Sequence, residues 1–330
     1  MASARRGCGV YGLELAGEDD AFAAREAACA ATAVDVVAPG LATARGVDAD
    51  RLRTLAYTHR MTHLVGRCEA SVPAARAVVA AADLDRSGSV AVRARDVRST
   101  AGIDTRRAER ELGSALVDRG FAVDLDDPDH ELRACFSADT CLVGWLAAES
   151  VRDYGDRRPT DRPFFQPGSM APLDARALAN LAGAAPGRTI LDPMCGTGGT
   201  LIEAGLVGAR PVGVDAQRKM VHGAGENLRT YLDGDYALLR GDATRLPLAD
   251  GAVDGVVFDA PYGRQSKIAR HDLADLVGGA LAEARRLSPR AVVVGDRSWR
   301  EAAHDAGWDV EATFERRVHR SLTRHVLLLA

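Results

Sequence analysis

Nothing constrains the fold of this chain more than the run Asp192-Pro193-Met194-Cys195-Gly196-Thr197-Gly198-Gly199-Thr200. It follows the short apolar segment Thr189–Leu191 and leads into the helical pattern Leu201-Ile202-Glu203-Ala204. A strand, a glycine-rich turn and a helix in that order let the backbone pass close to a ligand and point the free N–H groups of the helix start at it. The rhythm continues downstream. Val212–Val214, Ala237–Leu239, Val256–Phe258, Ala291–Val294 and His325–Leu329 read as strands separated by helical stretches. Such alternation predicts an α/β unit on a doubly wound, mostly parallel sheet, with ligands at the carboxyl ends of its strands.

The strand ends carry the chemistry. Asp215 closes the second strand about 20 residues past Asp192, the spacing at which a carboxylate takes two ribose hydroxyls. The same aspartate also suits a helix N-cap. Asp242, beside Ala243 on the turn Arg240-Gly241-Asp242-Ala243-Thr244, is placed to accept from an adenine amino group; an ordinary Asp turn is the alternative. The fourth end, Phe258-Asp259-Ala260-Pro261-Tyr262-Gly263, is the most specific. An amino nitrogen on a heteroaromatic ring is a poor nucleophile because its lone pair is delocalised. Asp259 and the carbonyl of Ala260 or Pro261, accepting the two amino hydrogens, would hold that lone pair toward an electrophile, and the carboxylate can take up the proton. Pro261 stiffens the turn, and Tyr262 is expected to stack on a base taken out of its own stack.

The front half is less patterned. Val10–Leu15 alternates, Ala21–Ala31 reads as a helix and Ala33–Val37 as a strand. Arg51–Arg67 reads as a helix then a strand, Val72–Ala82 as a helix and Val90–Val97 as a strand. Thr105–Arg119 follows as a helix, and Val123–Leu125, Glu131–Phe136 and Cys141–Leu146 as strands. The polar stretch Val151–Pro163, with two prolines and no periodicity, reads as a linker. The expected division is therefore 1–56, 57–150, a linker 151–163, and 164–330.

Composition sets limits on function. The chain is 47% hydrophobic and 27% charged. It has no apolar run of the ~20 residues that span a bilayer and no apolar core of signal length after Arg5-Arg6, so no membrane and a cytoplasmic location are expected. Cys8, Cys29, Cys68, Cys135, Cys141 and Cys195 show no C-x-x-C pair, so reduced thiols and no metal are expected. The net charge of −4 does not advertise a polyanion partner. Only Lys219 and Lys267 among the 42 basic residues are lysines, a bias attributable to the source of the sequence. Residues 86–110, however, hold seven arginines against three acids, which reads as a phosphate-contacting face or as a solvated surface.

The motifs match a known pattern. Residues 192–199 resemble the D-P-F-C-G-T-G-G motif of amino-group methyltransferases acting on RNA, with Met194 for Phe. Asp259-Ala260-Pro261-Tyr262 resembles their D/N-P-P-Y motif, with Ala260 for the first Pro. The segment Arg162-Pro163-Phe164-Phe165-Gln166-Pro167-Gly168-Ser169-Met170 is similar to the one before the catalytic domain of archaeal tRNA (guanosine-10 N2)-methyltransferases; His222–Leu228 and His319–Arg324 are similar too. The likeness spans almost all of 162–330, and the front half resembles a ferredoxin-like segment followed by a THUMP RNA-binding domain.

The resemblance implies a Rossmann-like methyltransferase domain behind an α+β RNA-binding region. S-adenosylmethionine would be held by Phe165, Pro167, Asp192, Pro193, Cys195, Gly196, Thr197, Gly198, Asp215, Asp242 and Ala243. Catalysis would fall to Asp259, Pro261 and Tyr262. The implied reaction adds one or two methyls to N2 of a tRNA guanosine, at tRNA position 10. The implied partners are tRNA and, as some related enzymes require, a small activating protein; DNA is not expected. Three alternatives stand beside it: another tRNA position or rRNA, a DNA amino-methyltransferase, and an inactive RNA-binding scaffold with Ala260 as the sign of decay.

Overall fold

A computed structural model describes residues 9–262, 272–319 and 322–330; Cys8, Gly263, Lys267, Arg320 and Ser321 lie outside the described residues. The chain divides into two units, Met1–Val151 and Arg152–Ala330.

The first unit is built on one sheet. Its strands are β1 (Val10–Leu15), β2 (Thr32–Ala38), β3 (Leu41–Arg45), β4 (Thr58–Glu69), β5 (Ser89–Asp96), β6 (Ala122–Val123), β7 (His130–Ser137) and β8 (Thr140–Glu149), in the order β2-β3-β1-β4-β8-β7-β5-β6. β5 runs parallel to β6 and β7, and the other pairings are antiparallel. Four helices accompany it: α1 (Asp20–Ala27), α2 (Ala49–Arg53), α3 (Val72–Ala81) and α4 (Thr105–Val117). Ser71 and Asp104 cap α3 and α4 by accepting from the N–H of Ala74 and Arg107. The apolar stripes of both helices, with Val79, Leu112 and Leu116, bury against Val92, Leu132, Phe136 and Trp145. The expected boundary at 56/57 falls inside this sheet, because β1 pairs directly with β4.

Arg86, Arg93, Arg95, Arg98 and Arg107 are turned to partners within the chain: His130, the Leu125 carbonyl, Glu14, Asp20 and Glu111. The side chains of Arg93, Arg95 and Arg107 nevertheless remain 40%, 44% and 57% exposed. The cysteines are less scattered in space than in sequence, since Cys68 on β4 is the direct cross-strand partner of Cys141 on β8.

The second unit opens with the segment expected as a linker, and that segment is packed rather than free. Two short 3₁₀ turns, Tyr154–Arg157 and Pro159–Asp161, bring Arg157 and Arg162 into buried positions. Arg157 Nε lies 2.9 Å from Glu203 Oε1, and Arg176 Nη2 lies 2.7 Å from Glu203 Oε2, with Glu203 fully buried. A buried carboxylate with two guanidinium partners makes such burial tolerable.

The unit's strands are β9 (Thr189–Asp192), β10 (Arg210–Asp215), β11 (Ala237–Arg240), β12 (Gly255–Asp259), β13 (Ala291–Gly295), β14 (Val310–His319) and β15 (Leu322–Leu329). Its helices are α5 (Pro172–Leu181), α6 (Gly199–Leu206), α7 (Arg218–Tyr231), α8 (Leu273–Leu287) and α9 (Arg300–Asp305). The sheet order is β11-β10-β9-β12-β13-β15-β14; β9 to β13 are parallel, and β15 runs antiparallel to both β13 and β14. One face, with Val214, Val256, Phe258 and Val293, packs on α8 and α9 through Val277, Leu281 and Ala303. The other face receives α6, whose Leu201 sits against Gly213. Burial on both faces explains why the central strands β9, β12 and β13 read as continuous apolar runs. Strand order reverses between β9 and β12, so the ligand crevice of an open parallel sheet belongs at their carboxyl ends. No helix among the described residues is long and apolar enough to cross a membrane.

Candidate active site

The glycine-rich turn is held from below and open above. Gly196 and Gly198 adopt φ of +51° and +77°, conformations that favour glycine. A Cβ on Gly196 would meet no atom within 4 Å, so the space over the turn is free for a ligand. Behind the turn, the Cys195 N–H donates to the Val214 carbonyl (2.9 Å) and the Gly198 N–H to the Cys195 carbonyl (2.8 Å). The Cys195 side chain is buried among Leu201, Ile202, Ala224 and Leu228, which leaves its backbone as the part facing the turn. Pro193 is buried with it.

Asp215, at the end of β10, ties the turn to the next strand. Its Oδ2 accepts from the Gly196 N–H (3.0 Å) and its Oδ1 from the Gln217 N–H (2.8 Å). Asp242 Oδ1 accepts from the Thr244 N–H (3.0 Å) and hydroxyl (2.8 Å), while Ala243 is buried in the core beside it. Asp259 ends β12. Tyr262 Oη donates to Asp259 Oδ1 (2.7 Å), and Arg324 Nε donates to Tyr262 Oη (3.1 Å). Tyr262, read from sequence as a stacking ring, is thus tied through its hydroxyl to the carboxylate as well.

Three carboxylates therefore meet at neighbouring strand ends, and all three are raised, chiefly by burial. Burial, resisted by the Met194 N–H and reinforced by Asp215 and Asp259, pushes Asp192 well above the usual carboxylate range. Burial also raises Asp215, against its two backbone hydrogen bonds. Asp259 is raised by burial, against the pull of Arg324 and Tyr262. Burial and the Asp259 charge raise the Tyr262 phenol, which keeps it a hydrogen-bond donor. Asp192 and Asp215, which no cation pairs among the described residues, are suited to a positively charged ligand.

A strap from the start of the unit borders the turn. Ser169 Oγ lies 3.1 Å from Thr197 Oγ1. The fully buried Asn227 of α7 clamps strap to turn: its Oδ1 accepts from the Phe164 N–H (2.9 Å), and its Nδ2 donates to the carbonyls of Phe164 (2.8 Å) and Thr197 (2.9 Å). Phe165 and Pro167 remain exposed on this strap. Gly223 and Gly199 allow the approach, because a Cβ there would collide with the Phe164 ring or the Arg162 guanidinium.

Asn227, Ser169, Arg324 and Asp174 carry weight that sequence reasoning did not assign. Asn227 and Arg324 lie in runs singled out by resemblance, but a lone Asn or Arg has no spacing signature. Among the described residues no group of three or more His, Cys, Asp or Glu forms a metal site.

Comparison with known proteins gives consistent matches. Residues 159–326 match a family model described as an RMKL-like methyltransferase domain. The chain is 37% identical to the tRNA (guanine(10)-N2)-dimethyltransferase of Methanothermobacter thermautotrophicus, over 84% of this chain and 83% of that protein. It is 32% identical to the enzyme of the same name from Methanocaldococcus jannaschii, over 74% of this chain and 71% of that one. Among solved structures, TrmN from Thermus thermophilus shares the fold, with a TM-score of 0.52 at 22% identity over 97% of this chain and 99% of that one.

Proposed function

This chain belongs to the family of the tRNA (guanine(10)-N2)-dimethyltransferases, and from that premise we propose that it transfers methyl groups from S-adenosylmethionine to N2 of guanosine 10 in tRNA. The observation that carries the reading is the convergence of Asp259 with Asp192 and Asp215 beside the open glycine turn.

The residues present fit the cofactor. S-adenosylmethionine carries a sulfonium and an α-ammonium, and among the described residues no cation pairs with Asp192 or Asp215. When bound, it supplies a methyl carbon made electrophilic by the sulfonium sulfur. Asp192 and the Gly196-Thr197-Gly198 backbone, backed by Pro193 and Cys195, would hold the methionine end. Asp215 would hold the ribose hydroxyls, Asp242 and Ala243 the adenine, and Phe165 and Pro167 would cover the crevice from the strap.

The chemistry rests on alignment. Asp259 accepts one amino hydrogen of the guanine and takes up the proton, and the carbonyl of Ala260 or Pro261 accepts the other, so that the nitrogen lone pair points at the methyl carbon. The Tyr262 ring supports the flipped base, a contact typically worth ~1–3 kcal/mol. After one transfer the nitrogen still carries a hydrogen for Asp259, so the same constellation serves a second transfer. The first unit would grip the tRNA, and the work would take place in the cytoplasm.

The test is incubation of the purified chain with unmodified tRNA transcripts and labelled S-adenosylmethionine, followed by nucleoside mass spectrometry. N2-methylguanosine and its dimethyl form are expected, and both are lost when guanosine 10 is replaced by adenosine. Reactions with added small activating proteins distinguish a chain that acts alone from one that needs such a partner. If no nucleoside gains a methyl in any of these reactions, an RNA-binding scaffold is the better account.

A further inference from the structure

The catalytic carboxylate is held from outside its own loop. Arg324, on β15, is only 6% exposed. Its Nη2 lies 3.8 Å from Asp259 Oδ2, while its Nε donates to Tyr262 Oη, which in turn donates to Asp259 Oδ1. Behind it, Arg324 Nη1 lies 4.0 Å from Asp174 Oδ2 in the first turn of α5. Arg316, the direct cross-strand partner of Arg324 on β14, donates from Nη2 to Asp174 Oδ1 (3.2 Å). Asp174 thus braces two adjacent arginines, and the guanidinium of one is presented edge-on to the Asp259–Tyr262 pair. A planar fork with fixed donor directions suits that task, and a lysine would meet it only in part.

We propose that Arg324 is a positioning residue for the methyl transfer: braced by Asp174 and Arg316, its guanidinium keeps the negative charge on Asp259 and, through Tyr262 Oη, aims that carboxylate at the substrate amino group. The inference rests on the amino-methyltransferase reading above. Among the described residues, the groups facing Asp259 are Tyr262 on its own loop, Arg324 from β15, Asp296 just after β13, and Asp192 at the end of β9. Burial and Asp296 favour the protonated carboxyl. Arg324 and Tyr262 oppose them, and Arg324 is the cation of the set. A protonated Asp259 accepts the amino hydrogen only weakly and cannot take up its proton, so the arginine bears directly on the fraction of enzyme competent at neutral pH.

The experiment is a pH–rate profile of kcat for the wild type, Arg324→Met and Arg324→Lys on one tRNA transcript, with S-adenosylhomocysteine binding measured on each as the check on folding. An opposite charge at this distance is typically worth about 1–3 pH units. The acid limb of Arg324→Met is therefore expected to move up by about that much, with activity at pH 7 down tenfold or more and recovering as pH rises. Arg324→Lys, which keeps the charge, should return the limb to near its wild-type position with a lower plateau. An unshifted limb in Arg324→Met, with activity reduced equally at every pH, overturns the inference, as does a lysine variant whose limb stays with the methionine variant. If Arg324→Met does not bind S-adenosylhomocysteine, Arg324→Gln takes its place under the same criteria. A wild type that makes no N2-methylguanosine defeats the functional reading, whereas an active wild type with an unshifted Arg324→Met defeats this inference alone.

Discussion

Glu14 in the first unit and Asp192 in the second are equally buried, each 4% exposed, yet they titrate in opposite directions. Around Glu14 the sheet register gathers Arg133, Arg95 (3.3 Å) and Arg60 (3.7 Å), with the Cys135 thiol donating to Oε1 at 3.2 Å. Burial alone would raise the Glu14 carboxyl, but Arg133 and its neighbours outweigh it and bring it below the usual value. Asp192 has the Met194 N–H at 3.1 Å and, nearby, two further carboxylates; it is raised. Burial is the same in both places, and the local supply of cations differs. A carboxylate furnished with its own arginines holds a fold together, whereas one left short of cations beside an open turn is suited to a cation arriving from outside.

The comparison can be broken most directly at Asp259, the carboxylate we propose takes up the proton. Asp259→Ala is expected to lower kcat by about 10²–10⁴-fold, with S-adenosylhomocysteine affinity little changed by calorimetry; a loss of affinity as large as the loss of turnover would move Asp259 from chemistry to cofactor binding. Next in size is Glu14→Ala, which leaves the buried Arg133 with Glu131 as its remaining carboxylate partner and should cost about 3 kcal/mol in denaturant unfolding, the low end for a broken buried pair. Asp192→Asn sharpens the contrast. The neutral isostere should leave the ligand-free protein as stable as the wild type or more so, and weaken S-adenosylmethionine binding by roughly ten- to a hundredfold, the value of a charge-assisted contact of about 1.5–3 kcal/mol.

The two centres also give opposite signs against pH. Glu14, depressed in the folded state, contributes stability that is present above its unfolded pKa and lost as pH falls through its folded value. Asp192, raised in the folded state, contributes stability that is present below its unfolded pKa and lost as pH rises through its folded value. Thermal melts from pH 4 to 8 should therefore show the stabilisation by S-adenosylmethionine growing with pH, and the Asp192→Asn variant should flatten that trend. The smallest effect belongs to Arg95→Ala. Its side chain is 44% exposed, so removing this rim partner of Glu14 should change stability by ~1 kcal/mol or less.

Legibility in the sequence followed the same divide. The parallel strands β9, β10, β12 and β13 were readable because both faces are largely buried, and each of them, like the edge strand β11, is a short apolar run ended by a polar or glycine residue. Strand β14 was not anticipated: it is an edge strand in which Glu311, Glu315, Arg316 and Arg317 dilute the apolar alternation. Strand β3, Leu-Ala-Thr-Ala-Arg, is short and weakly apolar. The segment 151–163 looked like a linker because its charges had no visible partner; Glu203, forty or more residues away, takes up Arg157.

What the sequence determined by itself is the glycine turn, the aspartates that follow three successive strands, and the alternation that stacks those strand ends in one crevice. These are local facts, since a strand, a turn and a helix are encoded by neighbouring residues and right-handed crossovers leave little choice in their assembly. Tertiary structure alone decided the Asn227 clamp on the strap, the Arg324 and Asp174 brace behind Asp259, and the pairing of Glu14 with arginines from three other strands. Each of those joins residues far apart in the chain, and a single polar residue becomes meaningful only when burial removes its water and leaves one partner to replace it.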